Sequence, residues 1–517
     1  MKPRILISGA LGLVLAALIA YSQTMAFHWD EGFHLLAARF ISTGKRPYLD
    51  FLFAQAPLNA YWVAFWFRLL HPSWRLAHVV AAVETWMAVV LMAHYTWKRF
   101  PAEEFRTAAA LVVIALFGLF GWTFDFGTIA QAYGFCILAT VAAFRAAVDA
   151  REHAGLWRAA LVGALAGAAV NGSLLTAAML PALLAWLWFY NQKGNRWGKA
   201  AALCAGALLP AIPVLRLLLM GPRKVWFDLV NYHALYRRVA WPGATGHDVD
   251  VLSYWIQDSQ QLVLLGLAIV GWLAMRKGEW AAQRRAEFQL CAWLVLAVAV
   301  EAVFAHPTFS QYFIFAVPFL AVLASAGFYV TLTRLNMVGR PERAALALGL
   351  FMLVTVGRSM FYGRDQESWQ HLTAIAKKVD EVTPRNVPAM LQEPVYFLTG
   401  REVPFGMEFD FAHKLDLGKE RNALFRIVPQ AEIDRQIKSG QFQTAALCDE
   451  DERVDKIKQT GVYTQKYESD ECTVFWKPNL KSAIQYQIQY QIQYPPPGSI
   501  TMEKLARKGE SADKQSM

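Results

Sequence analysis

The chain has 517 residues, of which 56% are hydrophobic and 17% are charged, and its mean hydropathy is +0.27. In a typical soluble domain about a quarter of the residues are charged, so this composition excludes a simple soluble enzyme. The net charge of +10 is the difference between 50 lysines and arginines and 40 aspartates and glutamates. In a membrane protein the placement of such cations matters more than their sum, and nothing here requires a nucleic-acid partner.

Apolar residues are concentrated in blocks of roughly 20 residues, which is the length of a membrane-spanning helix. These blocks predict a multi-pass α-helical membrane protein with about eleven spans over residues 1–360. The fifth and sixth blocks meet at Asn171-Gly172-Ser173 and also fit short helical hairpins. The predicted spans are residues 5–22, 75–95, 107–122, 127–148, 158–171, 173–190, 199–219, 260–276, 287–305, 311–333 and 343–360.

Lysines and arginines mark one side of the predicted bundle. They occur in the connections after even-numbered spans, whereas the short odd-numbered connections at 121–126, 171–173 and 306–310 have none. Cytoplasmic loops collect these cations, and Lys2 and Arg4 precede the first span. We therefore expect an inner (plasma) membrane protein with a cytoplasmic amino terminus and an extracytoplasmic carboxy-terminal part.

The composition after residue 360 is that of a soluble domain. Helical periodicity near 366–381 and 430–439 alternates with short β-type runs at Pro394–Leu398 and Thr444–Cys448. This alternation predicts a small extracytoplasmic α/β domain over residues 361–478.

Two further features belong to this exported part. Cys448 and Cys472 are its only cysteines, and an oxidising compartment makes them candidates for a disulfide, although the residues alone leave free thiols equally open. Residues 479–517 contain a Gln-Ile-Gln-Tyr repeat, three prolines and a charged tail. Such a composition predicts disorder, because it cannot bury a core.

Two of the odd-numbered connections are long, at residues 23–74 (the first long loop) and 220–259 (the second long loop). Both lie on the predicted exported side and are rich in aromatic and charged residues. A polytopic enzyme holds its site in such loops, although these also fit simple helix connections. Many aromatic residues of the second long loop fit a belt at the membrane surface.

The first long loop begins with an acidic pair, Asp30 and Glu31, a few residues after the first span. A carboxylate at this place lies at the membrane surface, where it could take a proton from a hydroxyl group that attacks a lipid-linked substrate. The alternative is that Asp30 caps a helix starting at Gly32. The residues alone leave both interpretations open.

The segments that follow the acidic pair are Gly44-Lys45-Arg46-Pro47-Tyr48-Leu49-Asp50 and Pro57-Leu58-Asn59-Ala60-Tyr61-Trp62. This order resembles the first periplasmic loop of the GT-C glycosyltransferases, in the protein O-mannosyltransferase and aminoarabinose transferase branch (glycosyltransferase family 39-like). Asp125 and the Gln311-Tyr312 pair followed by Pro318 are weaker matches. The resemblance implies a GT-C membrane domain followed by an exported domain.

The resemblance also implies an activity. Such enzymes transfer a sugar, with inversion, from a polyprenyl-phosphate donor to a lipid, protein or glycan acceptor. In the family the Asp of the acidic pair is the base, which implies that role for Asp30, with Glu31 beside it. The other residues expected to bind substrate or lipid phosphate are Arg39, Lys45, Arg46, Tyr48, Asp50, Gln55, Tyr61, Asp125, Arg237, Arg238, His306 and Tyr312.

One position departs from the family pattern. Aminoarabinose transferases carry a lysine in a Lys-Pro-Pro-Leu run where this chain has Gln55. Glutamine donates a hydrogen bond but brings no charge. The cation for the lipid phosphate must then come from elsewhere, and each arginine or lysine named above also fits a residue that snorkels to the membrane surface.

Other signals are absent or ambiguous. The chain has no Gly-rich phosphate loop of ATPases and no His/Cys cluster at metal-ligand spacing, so no cofactor is predicted, while a divalent cation between the acidic pair and a phosphate stays open. Glu84, with His78 and His94, lies inside the second span as a functional candidate or a partnered structural carboxylate. The alternative function is a transporter or flippase of lipid-linked saccharides.

Overall fold

The computed structural model describes residues 3–240, 243–337, 339–365, 368–448, 452–469 and 472–478. The chain divides into two compact units, one that ends at Ser368 and one that begins at Trp369. This division lies a few residues after the predicted boundary at 360. The predicted disordered tail lies outside the described residues.

The described part of the first unit is helical, apart from its loops and one isolated β-bridge. Two helical stretches, Ile114–Gly118 and Phe227–Asn231, are wound as π-helix, and Ser310–Ala316 is a 3₁₀ turn that leads into α17. The α-helices are α1 (Pro3–Thr24), α2 (Glu31–Ser42), α3 (Leu58–Leu69), α4 (Trp74–Arg99), α5 (Arg106–Val113), α6 (Gly121–Asp125), α7 (Tyr133–Glu152), α8 (Leu156–Gly172), α9 (Met179–Tyr190), α10 (Arg196–Leu208), α11 (Ile212–Met220), α12 (Pro222–Trp226), α13 (Tyr232–Ala240), α14 (Ala244–Gln257), α15 (Ser259–Lys277), α16 (Arg285–Phe304), α17 (Val317–Arg334) and α18 (Pro341–Tyr362).

The multi-pass helical architecture predicted from the sequence is confirmed. Within the described residues, seven segments are long and apolar enough to cross a membrane, or eight if the bent pair α10 and α11 is one span. Leu156–Gly172 and Leu174–Tyr190 are apolar but shorter, and the third predicted span is a buried α-to-π segment. The count of eleven spans therefore remains a prediction.

Small residues allow neighbouring helices to pack closely. A Cβ atom at Gly163 of α8 would lie 1.9 Å from the carbonyl oxygen of Leu203, and one at Gly206 of α10 would lie 2.0 Å from that of Ala160. Side chains at these positions would push the two helices apart. Close backbone approach through glycine is a common means of helix association in membranes.

A buried ion network lies at one end of the bundle. The Glu287 carboxylate is fully buried and accepts hydrogen bonds from the Tyr95 hydroxyl at 2.8 Å, from Arg99 Nε at 2.9 Å and from Arg284 Nη1 at 3.1 Å. Arg99 also bonds Glu152. The network joins the ends of α4 and α7 to the start of α16, so three loops predicted to be cytoplasmic lie together.

The second unit contains a four-stranded sheet of order β1-β2-β4-β3. The strands β1 and β2 are parallel, and β4 is antiparallel to both β2 and β3. The α/β character predicted for this part of the chain is present. Its elements are α19 (Trp369–Val382), β1 (Ala389–Leu391), α20 (Glu393–Thr399), α21 (Lys419–Phe425), α22 (Gln430–Lys438), β2 (Thr444–Cys448), α23 (Glu452–Thr460), β3 (Gln465–Ser469) and β4 (Cys472–Trp476).

One predicted strand of this unit is wrong. The run Pro394–Leu398 lies in helix α20, because Pro394 occupies the first turn, Glu393 opens the helix and Gly400 ends it in a left-handed conformation. These are ordinary helix start and stop signals. This short helix packs in the core, so its residues are apolar. The composition of such a short apolar run does not distinguish a helix from a strand.

The two cysteines of this unit form a disulfide. Cys448 at the end of β2 lies opposite Cys472 at the start of β4 in the antiparallel register, and the two sulfur atoms are bonded. The described cysteines of the first unit, Cys136, Cys204 and Cys291, are free.

Candidate active site in the first long loop

Asp30 lies at the N-cap position of α2. Its side chain makes no capping hydrogen bond, so the structure does not show the helix-cap role that the sequence left open. Among the described residues, no donor makes a hydrogen bond to this half-buried carboxylate. The carboxylate is therefore available to a substrate.

Residues from three parts of the chain surround Asp30. His28 Nδ1 accepts a hydrogen bond from the Asp30 amide at 3.3 Å and lies 3.2 Å from the Gln131 side-chain nitrogen. Tyr133, at the start of α7, is within electrostatic reach of both Asp30 and Tyr312. The sequence predicted Tyr312 but missed the other three, which carry no family motif. Burial raises the pKa of Asp30, and the nearby His28 lowers it by less.

Glu31 has different surroundings from Asp30. Its side chain is fully buried, where it pairs with His78 of α4 and accepts a hydrogen bond from the Ala130 amide at 2.9 Å. The acidic pair thus divides into one available carboxylate and one that joins parts of the fold.

The predicted phosphate-binding cations differ in their partners. Arg46 binds Asp50 through two parallel hydrogen bonds, from Nε at 2.9 Å and from Nη2 at 2.8 Å, and this pairing lowers the pKa of Asp50. Lys45 Nζ lies 4.3 Å from the centre of the Phe40 ring. Arg39 is half-buried, and burial lowers its pKa to about 10, which leaves it charged at neutral pH.

Arg237 and Arg238 lie in helix α13 of the second long loop. Their side chains lie outside the described part of the structure.

Tyr48, Gln55 and Tyr61 shape the connection between α2 and α3. Tyr48 has a left-handed backbone with φ of 66° and a buried ring. Its hydroxyl donates a hydrogen bond to the Gln55 carbonyl at 2.8 Å. Burial raises the pKa of Tyr61, and the nearby Arg216 of α11 lowers it by less. Tyr48 thus supports the turn that presents Gln55.

The second long loop docks on the first through two side chains that the sequence did not reveal. Lys224 Nζ donates a hydrogen bond to the Leu49 carbonyl at 3.2 Å, and the buried Asp228 carboxylate accepts one from the Phe53 amide at 3.0 Å. The partners in each contact are 175 residues apart in the sequence, so no local sequence pattern predicts the contacts. The start of the second long loop therefore packs against the first long loop.

We expect replacement of Asp228 with alanine to open this contact. A hydrogen bond to a charged group contributes about 1.5–3 kcal/mol, so amide exchange at Phe53 should become at least about tenfold faster. Hydrogen exchange of the full-length protein, read by mass spectrometry, measures this rate. Alanine at Asp250, an exposed residue of the same loop, is the matched control. Unchanged exchange at Phe53 in the Asp228 variant would contradict the docking role.

Two other predicted residues, Asp125 and His306, have partners. Asp125 accepts a hydrogen bond from the Tyr21 hydroxyl at 2.7 Å. His306 pairs with Asp248 of the second long loop, which also accepts the Thr308 amide at 2.6 Å. The two contacts of Asp248 join the connection after α16 to the second long loop.

Glu84 also has a partner inside the bundle. Its carboxylate accepts a hydrogen bond from Trp62 Nε1 of α3 at 2.5 Å. This contact favours the interpretation of Glu84 as a partnered carboxylate that holds α3 against α4.

Among the described residues, no group of three or more histidine, cysteine, aspartate or glutamate side chains could hold a metal ion. A divalent cation shared between Asp30 and a substrate phosphate is not tested by this observation.

Comparison with solved structures identifies the fold. The aminoarabinose transferase ArnT from Cupriavidus metallidurans, bound to undecaprenyl phosphate, matches with a TM-score of 0.64 and 13% identity over 91% of this chain and 97% of that chain. The oligosaccharyltransferase AglB from Archaeoglobus fulgidus, in complex with an inhibitory peptide and a dolichol-phosphate, matches with a TM-score of 0.51 and 11% identity over 91% of this chain and 74% of that chain. This chain has the GT-C fold.

Each alignment covers about nine-tenths of this chain and therefore includes residues of both units. No protein-family model matches the sequence. No curated protein matches it either. The first-loop resemblance seen in the sequence thus agrees with the architecture, while the substrates have to be argued from the site.

Proposed function

We propose that this protein is a glycosyltransferase of GT-C type. It moves one sugar from a polyprenyl-phosphate donor to an acceptor at the extracytoplasmic face of the inner membrane, and its amino terminus is cytoplasmic. The observation that carries the proposal is the available carboxylate of Asp30 at the head of α2. The two relatives with this fold were solved with undecaprenyl phosphate and with dolichol-phosphate, which supports a lipid-linked donor.

Asp30 acts as the general base. It takes the proton from the acceptor hydroxyl as that oxygen attacks the anomeric carbon of the sugar. The bond between the anomeric carbon and the phosphate oxygen breaks, and the polyprenyl phosphate leaves as an anion. No general acid is needed for such a leaving group, in contrast to glycoside hydrolysis with its two carboxyl groups. Attack from the face opposite the phosphate inverts the anomeric configuration.

Cations of the first long loop hold the departing phosphate. Arg39 and Lys45 both lie near the Phe40 ring, at 5.8 Å and 4.3 Å from its centre, so both charges lie near the carboxy-terminal end of α2. Arg46 reaches a phosphate only by exchanging its bonds with Asp50. Fixed positive charge at the leaving oxygen stabilises the transition state more than the ground state, because the negative charge there grows during transfer.

Tyr133 is within electrostatic reach of Asp30 and of Tyr312. The hydroxyl groups of the two tyrosines serve as hydrogen-bond partners for the hydroxyl groups of sugar or acceptor. Tyr48 supports the turn that carries Gln55.

Transfer by the purified protein tests the proposal. Proteoliposomes receive polyprenyl-phosphate sugar with a radiolabel in the sugar, together with candidate lipid, peptide and glycan acceptors. We expect label in an acceptor and an equal amount of free polyprenyl phosphate. Movement of intact donor across the bilayer without release of polyprenyl phosphate would contradict the proposal and favour the flippase. Anomeric analysis of the product tests the inversion.

A further inference from the structure

His78 is a buried histidine at the start of α4 that joins two other elements. Its side chain is fully buried. Nδ1 lies 2.6 Å from the carbonyl oxygen of Ser22, near the end of α1, and Nε2 faces Glu31 Oε1 at the start of α2. A carbonyl oxygen only accepts hydrogen bonds, so Nδ1 carries a proton. Nε2 pairs with the Glu31 carboxylate.

The Glu31 carboxylate extends the connection to a third element. The same oxygen, Oε1, accepts the Ala130 amide at 2.9 Å. Ala130 precedes Gln131, which contacts His28, and Tyr133, which is within electrostatic reach of Asp30. His78 and Glu31 together therefore hold α1, the start of α2 and the segment before α7 in one arrangement.

The other end of α2 is held separately. Arg68 of α3 donates hydrogen bonds to the carbonyl oxygens of Ile41 at 2.8 Å and Ser42 at 3.1 Å, which belong to the last turn of α2. With the far end of α2 held by Arg68, the contact between Glu31 and His78 is a polar anchor of its first turn, in addition to the packing of its buried side chains. Asp30 is the residue directly before that turn.

We propose that His78 is a positioning residue, which acts through Glu31 to hold the Asp30 carboxylate in line with the acceptor hydroxyl. This inference rests on the proposed glycosyltransferase function. His78 touches neither donor nor acceptor. Its effect is geometric, because a displacement of about 1 Å in a reacting group can cost about a hundredfold in rate.

The test is His78→Asn in the full-length protein. Asparagine still reaches the Ser22 carbonyl but is too short for Glu31. We expect kcat to fall about 30- to 100-fold, while the KM for polyprenyl-phosphate sugar stays within about threefold, because the phosphate-binding cations are untouched. His71→Asn is the matched control. His71 is exposed with φ of 108°, a conformation that asparagine tolerates, and its variant should keep wild-type rates.

The decisive comparison combines His78→Asn with Asp30→Asn. If His78 acts through Asp30, the double variant should be no slower than Asp30→Asn alone. The Asp30→Asn protein has no base at this position, so a shift of the side chain costs no further rate. A general structural defect would instead lower the residual rate again by the full factor. Full additivity would therefore overturn the inference, as would an unchanged kcat in His78→Asn.

Glu31→Gln is a second test variant, to be used if His78→Asn folds poorly. It keeps the size of the Glu31 side chain but removes its charge. We expect a loss in kcat of about tenfold at constant KM, again absent in the Asp30→Asn background. An additive loss or an unchanged kcat would overturn the inference. A folded wild-type protein that transfers no sugar from any donor would instead overturn the proposed function, and the inference with it.

Discussion

Replacing Asp30 with asparagine is expected to lower the rate of sugar transfer by about a thousandfold. A general base typically contributes between about a hundredfold and ten-thousandfold, and asparagine has the size of aspartate but cannot take a proton. The Asp30 carboxylate makes no capping hydrogen bond to α2, so the variant should fold normally. Single-turnover transfer with radiolabelled donor measures the rate, and equilibrium binding should show a donor affinity within about threefold of the wild type.

The matched control for this variant is Asp250→Asn. Asp250 is exposed on α14 of the second long loop, so its loss should leave the transfer rate unchanged. A folded, donor-binding Asp30→Asn protein that transfers at more than about a third of the wild-type rate would contradict the role of Asp30. The base would then have to be another carboxylate, and both Glu31 and Asp125 already bind protein groups.

The second large effect concerns the stability of the carboxy-terminal unit. Breaking the disulfide between Cys448 and Cys472, by changing both to alanine, should destabilise this unit by about 3 kcal/mol, because the bond closes a loop with a sequence separation of 24. For a unit of this size the expected fall in its melting temperature is about 10 °C or more. The shift is measured by heating the full-length protein and using the protease sensitivity of this unit to monitor its unfolding.

Cys204→Ser is the control for the disulfide variant, since Cys204 is an exposed free cysteine. It should leave the melting temperature of the carboxy-terminal unit unchanged. A reducing agent should reproduce the effect of the double variant in the wild type. A variant without both cysteines that melts with the wild type would show that the sheet pairing of β2 and β4 is sufficient by itself.

Local patterns account for the parts of the fold that could be predicted from the sequence. The apolar blocks that became α1, α4 and α7 are continuous, and membrane helices need such blocks because no water satisfies their backbone. The place of Asp30 after the first span was likewise visible, since it depends on only a few neighbouring residues. Thr444–Cys448 was recognised as a strand because it is a short, mostly apolar run between polar segments.

The sequence could not predict contacts between distant segments. The burial of Glu31 depends on His78 and Ala130, which lie 47 and 99 residues away along the chain. The docking of the second long loop depends on Asp228, which lies among aromatic residues that fit a membrane belt equally well. Such pairings arise from the way helices pack, and they cannot be predicted from the local pattern of a single sequence.

The pH dependence of transfer tests the role of Asp30 most directly. Only the ionised carboxylate accepts a proton, and burial raises the pKa of Asp30. The wild-type rate should therefore fall as the pH drops through this raised pKa, which lies above the usual value of about 4 for aspartate, and should level off above it. The slow residual rate of Asp30→Asn should lack this acid limb. An identical acid limb in wild type and Asp30→Asn would contradict the assignment of Asp30 as the base.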